Sequence, residues 1–185
     1  ASAASEAASL WELASDGGSS AYLTRKGVEP YGVRFGADGW LLVPVRDALG
    51  KLWNVQRIAP DKPASGPDKL FLKGGRKSGL WHWCGDPAGA GVLLIAEGYA
   101  TAASLHQATG RPVAVAFDAG NLAHVAKALR KAYPAALLVL CGDDDVQTFA
   151  RAGHNPGRDK ATAAAGAVHG LAVFPEGLPE GGSDF

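Results

Sequence analysis

Four apolar runs, at residues 92–96, 112–117, 136–141 and 171–174, punctuate the second half of this 185-residue chain, and stretches of helical character lie between them at 98–109, 121–132 and 158–169. The runs are apolar throughout rather than alternating, as strands buried on both faces must be. Strands alternating with helices predict βαβ units, hence an α/β fold with a central, mainly parallel four-stranded sheet flanked by helices. The crossovers are expected to be right-handed.

The first half reads differently. Tyr31, Val33 and Phe35 alternate, a Gly-Ala-Asp-Gly turn follows, and runs at 40–45 and 52–58 continue the pattern. That predicts an antiparallel meander with tight turns. Residues 59–79 are rich in Pro, Gly and Lys and read as a loop with one short strand at 70–72, and short helices are expected within 1–16 and at 21–26. The division is therefore an N-terminal helical segment or linker at 1–21, a small β-rich basic subdomain at 22–88, the α/β domain at 89–176, and a truncated tail at 177–185.

Charge follows the same division. Residues 22–80 carry eleven Lys or Arg against five acids, whereas 81–185 carry seven against ten, although the whole chain is neutral. A basic module beside an acidic one suits a polyanion-binding enzyme with a metal site, and it also suits an ordinary solvated surface. The two cysteines, Cys84 and Cys141, are too few and too far apart for a zinc module, and they point to a reducing, cytoplasmic setting. No apolar run is long enough to cross a membrane as a helix. Methionine is absent, so the chain reads as a fragment of a larger protein.

In an open parallel sheet, ligands bind outside the carboxyl ends of the strands. Here the first strand ends at Glu97-Gly98, the second at Asp118-Ala119-Gly120-Asn121, and the third at Gly142-Asp143-Asp144-Asp145. Clustered carboxylates repel unless a cation compensates them, and an all-oxygen donor set suits Mg²⁺ or Mn²⁺ rather than zinc. Period-two geometry places Asp143 and Asp145 on one side and Asp144 on the other, so Asp143 and Asp145 are the expected ligands. Each element also has a plainer reading. Glu97 suits a helix N-terminus, and Asp118 suits a cap on the next helix.

Glu97-Gly98-Tyr99-Ala100-Thr101, followed by Asp143-Asp144-Asp145 and then Asn155-Pro156-Gly157 and Lys160, resembles the Toprim domain in the form found in primases of conjugative plasmids and phages. Upstream, Leu41 to Asp47, Gly50 and Val55-Gln56-Arg57 resemble the DnaG-type catalytic core, and Asp68 to Gly74 resembles its lysine-containing loop, with Lys69 and Lys73 both available. The resemblance spans about residues 22–175.

The resemblance implies a DNA primase core that makes short RNA primers on single-stranded DNA from nucleoside triphosphates. It implies Mg²⁺ or Mn²⁺ on Asp143 and Asp145, with Glu97 as a further ligand or as general base. Lys160, Arg158, Asn155, Asp118 and Asn121 are the corresponding nucleotide-binding candidates, and Arg57, Lys69, Lys73, Arg76 and Lys77 the nucleic-acid-binding ones. Trp53, Trp81 and Trp83 are either base-stacking or core residues, and His154 is the one histidine close to the aspartates. A helicase or relaxase domain is expected outside this fragment. The alternatives are a Toprim nuclease and a non-catalytic nucleotide-binding module. A haloacid-dehalogenase phosphatase fits less well, because Gln147 stands where Thr or Val is expected.

Overall fold

A computed structural model of the chain describes residues 2–143 and 155–176. Helix α1 (Ala3–Leu13) is capped by Ser2, whose side chain accepts a hydrogen bond from the Ser5 amide. Helix α2 (Ala21–Lys26) stops at Gly27, which adopts the left-handed conformation and donates back to Leu23 and Thr24. Strands β1 (Arg34–Phe35), β2 (Leu41–Arg46), β3 (Leu52–Ile58) and β4 (Lys69–Phe71) then form a four-stranded antiparallel sheet in chain order. This is the meander expected from the alternating pattern.

The second sheet contains β5 (His82–Cys84), β6 (Val92–Ala96), β7 (Val113–Val115), β8 (Leu137–Cys141) and β9 (Leu171–Val173), in the order β5-β7-β6-β8-β9. Helices α3 (Tyr99–Thr109), α4 (Leu122–Ala132) and α5 (Pro156–Gly166) lie between its parallel strands along the chain. The four parallel strands match the four apolar runs, but the sheet has a fifth, antiparallel strand at its β7 edge. Three residues are too few to show a period, so β5 is defined by its partner rather than its own sequence. It lies within 22–88 yet pairs with the second sheet, His82 opposite Val115 and Cys84 opposite Val113.

The apolar runs are continuous because both faces are covered. Leu94, Ala96, Val113, Val115, Val139 and Cys141 face a core shared with α3 and with Val43, Val45 and Ile58 of the antiparallel sheet. Leu93, Ile95, Ala114, Leu138 and Leu140 face α4 and α5, through Leu122, Val125, Leu129, Ala161 and Ala164. The other face of the antiparallel sheet is covered by α1, with Ala7 and Ala14 against Leu42 and Val55. Cys84 and Cys141 are free and buried, and burial pushes both thiols up to about 12, so neither is a thiolate at neutral pH.

Candidate active site at the carboxyl edge

The parallel strands deliver their acids to one place. Glu97 follows β6, Asp118 follows β7 and Asp143 follows β8, and all three line a cleft of about 240 Å³. Lys26 from α2 and Lys69 from β4 line the same cleft, together with Tyr22, Thr101 and Phe117. The basic first half thus reaches over the acidic edge of the second. Of the two candidate lysines in the loop region, Lys69 is the one lining this cleft, and Lys73 is exposed beyond the end of β4.

Local sequence explains each placement. Gly98 is the extended N-cap of α3, so the chain turns into the helix directly after Glu97. Gly142 admits the close approach of α5. A β-carbon there would lie 2.6 Å from the Ala161 methyl and 2.8 Å from the Phe174 ring, so a larger residue would displace the turn that carries Asp143. Phe117 is strained, with φ at 75°, and its ring packs edge-on against Phe71 of β4 at 5.7 Å. That left-handed residue turns the chain immediately before Asp118.

Asp118 is doubly held. One carboxylate oxygen accepts from the Asn121 amide at 3.0 Å, and the other is ion-paired with the Lys77 ammonium. Asn121, a nucleotide-binding candidate in the sequence, is 3% exposed and spends its side chain on the backbone. Its Nδ2 donates to Ala116 at 2.9 Å and to Lys77 and Leu80 at 3.2 Å, and its Oδ1 accepts from the Gly79 amide at 2.9 Å. Both amide hydrogens are thus spent on backbone carbonyls. Its role is therefore to clamp the 77–80 turn against the start of α4.

Tyr99, the aromatic residue of the Glu-Gly-Tyr-Ala-Thr segment, is buried under the chain leading into β1. Its hydroxyl accepts from the Tyr31 amide at 2.8 Å and donates to the Glu29 carbonyl at 3.2 Å. Burial raises its pKa well above the ordinary tyrosine value, so it stays a neutral donor. His82 supports the same loop, with Nε2 bonded to the Tyr31 carbonyl at 2.8 Å.

The remaining candidates are more dispersed. Asn155 caps α5 by accepting from the Arg158 amide at 3.2 Å, and Arg158 stacks over Phe174 at 4.5 Å. Lys160 is exposed two residues further along α5. Arg57 bonds Asp38 at 2.6 Å and lies over Trp40, whereas Arg76 is exposed and lies over Trp53 at 5.0 Å. Lys77 faces Asp118 rather than the surface bases. Trp81 is core, Trp83 packs edge-on against Tyr133, and Trp53 is half-buried with Nε1 donating to Asp47 at 2.8 Å. Asp144, Asp145, Gln147 and His154 lie outside the described residues. Sequence reasoning missed Lys26, Tyr22 and Thr101, which reach the cleft only through packing. Tyr22 and Lys26 carry no spacing signal of their own, whereas Thr101 closes the Glu-Gly-Tyr-Ala-Thr segment without a role assigned to it.

The carboxylates of the cleft suit a hard divalent cation in donor type. Among the described residues, no group of three or more ligating side chains converges on one point. Asp118 is drawn to Lys77, and Glu97 and Asp143 are the described acids that fit such an ion, with Asp145 as the further sequence candidate.

An open, mainly parallel sheet whose carboxyl edge gathers acids beside a basic antiparallel sheet defines the class as an α/β domain with a charged cleft at its strand ends. The family of Toprim domains matches residues 92–184, half the chain, and the chain belongs to that family. It is 43% identical over 159 residues to a DNA primase TraC of Escherichia coli, a match that takes in 83% of this chain and 11% of that protein. A second TraC primase of Escherichia coli is equally similar, with 14% of its length covered. The chain thus spans only a small part of these relatives. Among solved structures, the DnaG catalytic core superposes with a TM-score of 0.57 at 17% identity, covering 88% of this chain and 65% of that one. The primase fragment of the bacteriophage T7 primase-helicase superposes at 0.59 with 19% identity, covering 85% and 64%. A DnaG catalytic domain bound to single-stranded DNA superposes at 0.55, covering 88% and 64%. At these identities the structural likenesses show the fold.

Proposed function

We propose that the chain is the nucleotidyl-transfer core of a primase, joining nucleoside triphosphates into short RNA primers on a single-stranded DNA template. The observation that carries this is the cleft itself, which Glu97 and Asp143 line together with Lys69 of β4 and Lys26 of α2. The similarity to the TraC primases supports the same reaction. A bound Mg²⁺ or Mn²⁺ would neutralise triphosphate charge and orient it for in-line attack. Asp143 and Asp145 are the proposed ligands, and Glu97 takes the proton of the attacking 3′-hydroxyl or completes the ligand set. Lys69 and Lys26 offer ammonium groups to phosphate, and Arg158 and Lys160 on α5 supply further positive charge. Exposed Lys73 and Arg76 would follow the template backbone.

The proposed division keeps 22–88 as a template-facing module and 89–176 as the catalytic one, with β5 as the strand by which the former joins the latter's sheet. Further domains, a helicase or relaxase among them, and a cytoplasmic location belong to the same proposal. Among the described residues, no helix is long and apolar enough to cross a membrane.

Glu97→Gln tests the central role. Gln is nearly isosteric and cannot take a proton. Primer synthesis by the full-length parent should fall by about 10²–10⁴-fold with an unchanged melting temperature. If Glu97 is instead a ligand, Mn²⁺ affinity falls and excess metal restores the rate. Wild-type synthesis by this variant would remove the assignment. Template-strand cleavage in place of synthesis would identify a nuclease.

A further inference from the structure

One cation at the acidic edge is held in a way that surface lysines are not. Lys77 is anchored at both ends. Its carbonyl accepts from Asn121 Nδ2 and from the Leu80 amide at 3.0 Å, which fixes the turn. Its ammonium lies 5.2 Å from the centre of the Phe71 ring and is ion-paired with Asp118. Phe71 is in turn packed on Phe117, whose left-handed backbone aims Asp118 back at Lys77. Four residues from β4, the 77–80 turn and the β7–α4 junction, namely Phe71, Leu80, Phe117 and Asn121, thus serve one ion pair beside the cleft.

We infer that Lys77 is the built-in counter-charge of the acidic cleft: it withdraws Asp118 from the carboxylate set and so lowers the attraction of the cleft for a divalent cation. Template contact, the role its place in the basic segment suggests, is then secondary. This rests on the reading of the cleft as a cation site. The pair is only partly shielded, with side chains 35% and 42% exposed, so the effect is moderate and weakens with salt. Asn121 acts through Lys77 as a positioning residue.

Mn²⁺ binding to the chain without nucleotide or DNA provides the test, measured at low salt by the loss of free Mn²⁺ signal in electron paramagnetic resonance. Lys77→Gln should bind Mn²⁺ about three- to tenfold more tightly than wild type, the expected effect of removing one nearby positive charge in a largely aqueous setting. Lys77→Arg keeps the charge and should match wild type. Asp118→Asn, which leaves Lys77 unpaired beside the cleft, should bind several-fold more weakly. The double variant, neutral at both positions, should return to within about twofold of wild type. Circular dichroism confirms that each variant is folded, and Asp118→Asn against wild type carries the comparison if Lys77→Gln is not, unchanged binding by it then overturning the role of Lys77. Binding by wild type that Lys77→Gln leaves unchanged, or that Lys77→Arg changes as much as Lys77→Gln, overturns the role of Lys77 alone. Absence of Mn²⁺ binding in every folded variant overturns the cation site and this inference together.

Discussion

His82 shows how a single side chain ties two parts of the molecule together. It is buried beneath Tyr99, its ring centre 5.9 Å away, and bonds the Tyr31 carbonyl. Burial, with a smaller contribution from nearby Arg46, lowers its pKa to about 4 against the opposing effect of the Tyr31 bond. The folded-state value thus lies below the unfolded value of about 6.5. Between those limits the unfolded chain holds the extra proton, so stability is fully present above about pH 6.5 and is lost as pH falls toward 4. The loss is on the order of 3 kcal/mol at most. His82→Gln keeps a donor for Tyr31 and cannot titrate. Urea midpoints between pH 7 and pH 4.5 should fall less steeply for this variant than for wild type. Parallel slopes would mean that His82 titrates alike in the folded and unfolded chains.

At the scale of elements, the turn from β8 into Asp143 depends on how tightly α5 packs over it. Gly142→Ala brings a methyl group against Ala161 and Phe174 at distances no real contact tolerates. It should cost about 1–3 kcal/mol in thermal unfolding and also weaken Mn²⁺ binding, because Asp143 is the next residue along. Gly91 has open space around its α-carbon and no positive φ, so Gly91→Ala is the matched control and should stay within about 0.5 kcal/mol of wild type. Equal melting temperatures for the two variants would show that α5 yields to the extra methyl. The elements themselves were legible where their period was long. The segments 92–96, 98–109 and 52–58 were read to within a residue, since each repeats its pattern over enough positions to be seen. Strand β5 was not, because His82, Trp83 and Cys84 alternate between two cores that only the folded sheets create.

For the whole molecule, the basic surplus of the first half is divided by its partners. Arg57 is bound to Asp38 and Lys77 to Asp118, whereas Lys73 and Arg76 are exposed. Binding of a single-stranded oligonucleotide should therefore weaken steeply with salt. Replacing Lys73 and Arg76 together by Ala should lower the slope of log affinity against log salt by about 1.4, at roughly 0.7 per phosphate contact. Arg57→Ala should leave the slope nearly unchanged. A full-sized drop at Arg57, or none at Lys73 and Arg76, would place the template on a different face.

Sequence pattern alone was enough for the parallel strands and for the placement of Glu97, Asp118 and Asp143 at one edge of their sheet. These follow from local rules: continuous apolar runs need cover on both faces, and strand ends in such sheets face one way. Only the tertiary structure decided which cations meet those acids. Lys26 and Lys69 reach the cleft, and Lys77 reaches Asp118, from segments 28 to 117 residues distant along the chain from the acids they face. Tyr99 likewise finds Tyr31 and Glu29 across the chain. Such pairings have no periodicity to announce them, because they arise from the docking of one sheet on another and not from the repeat of any one element.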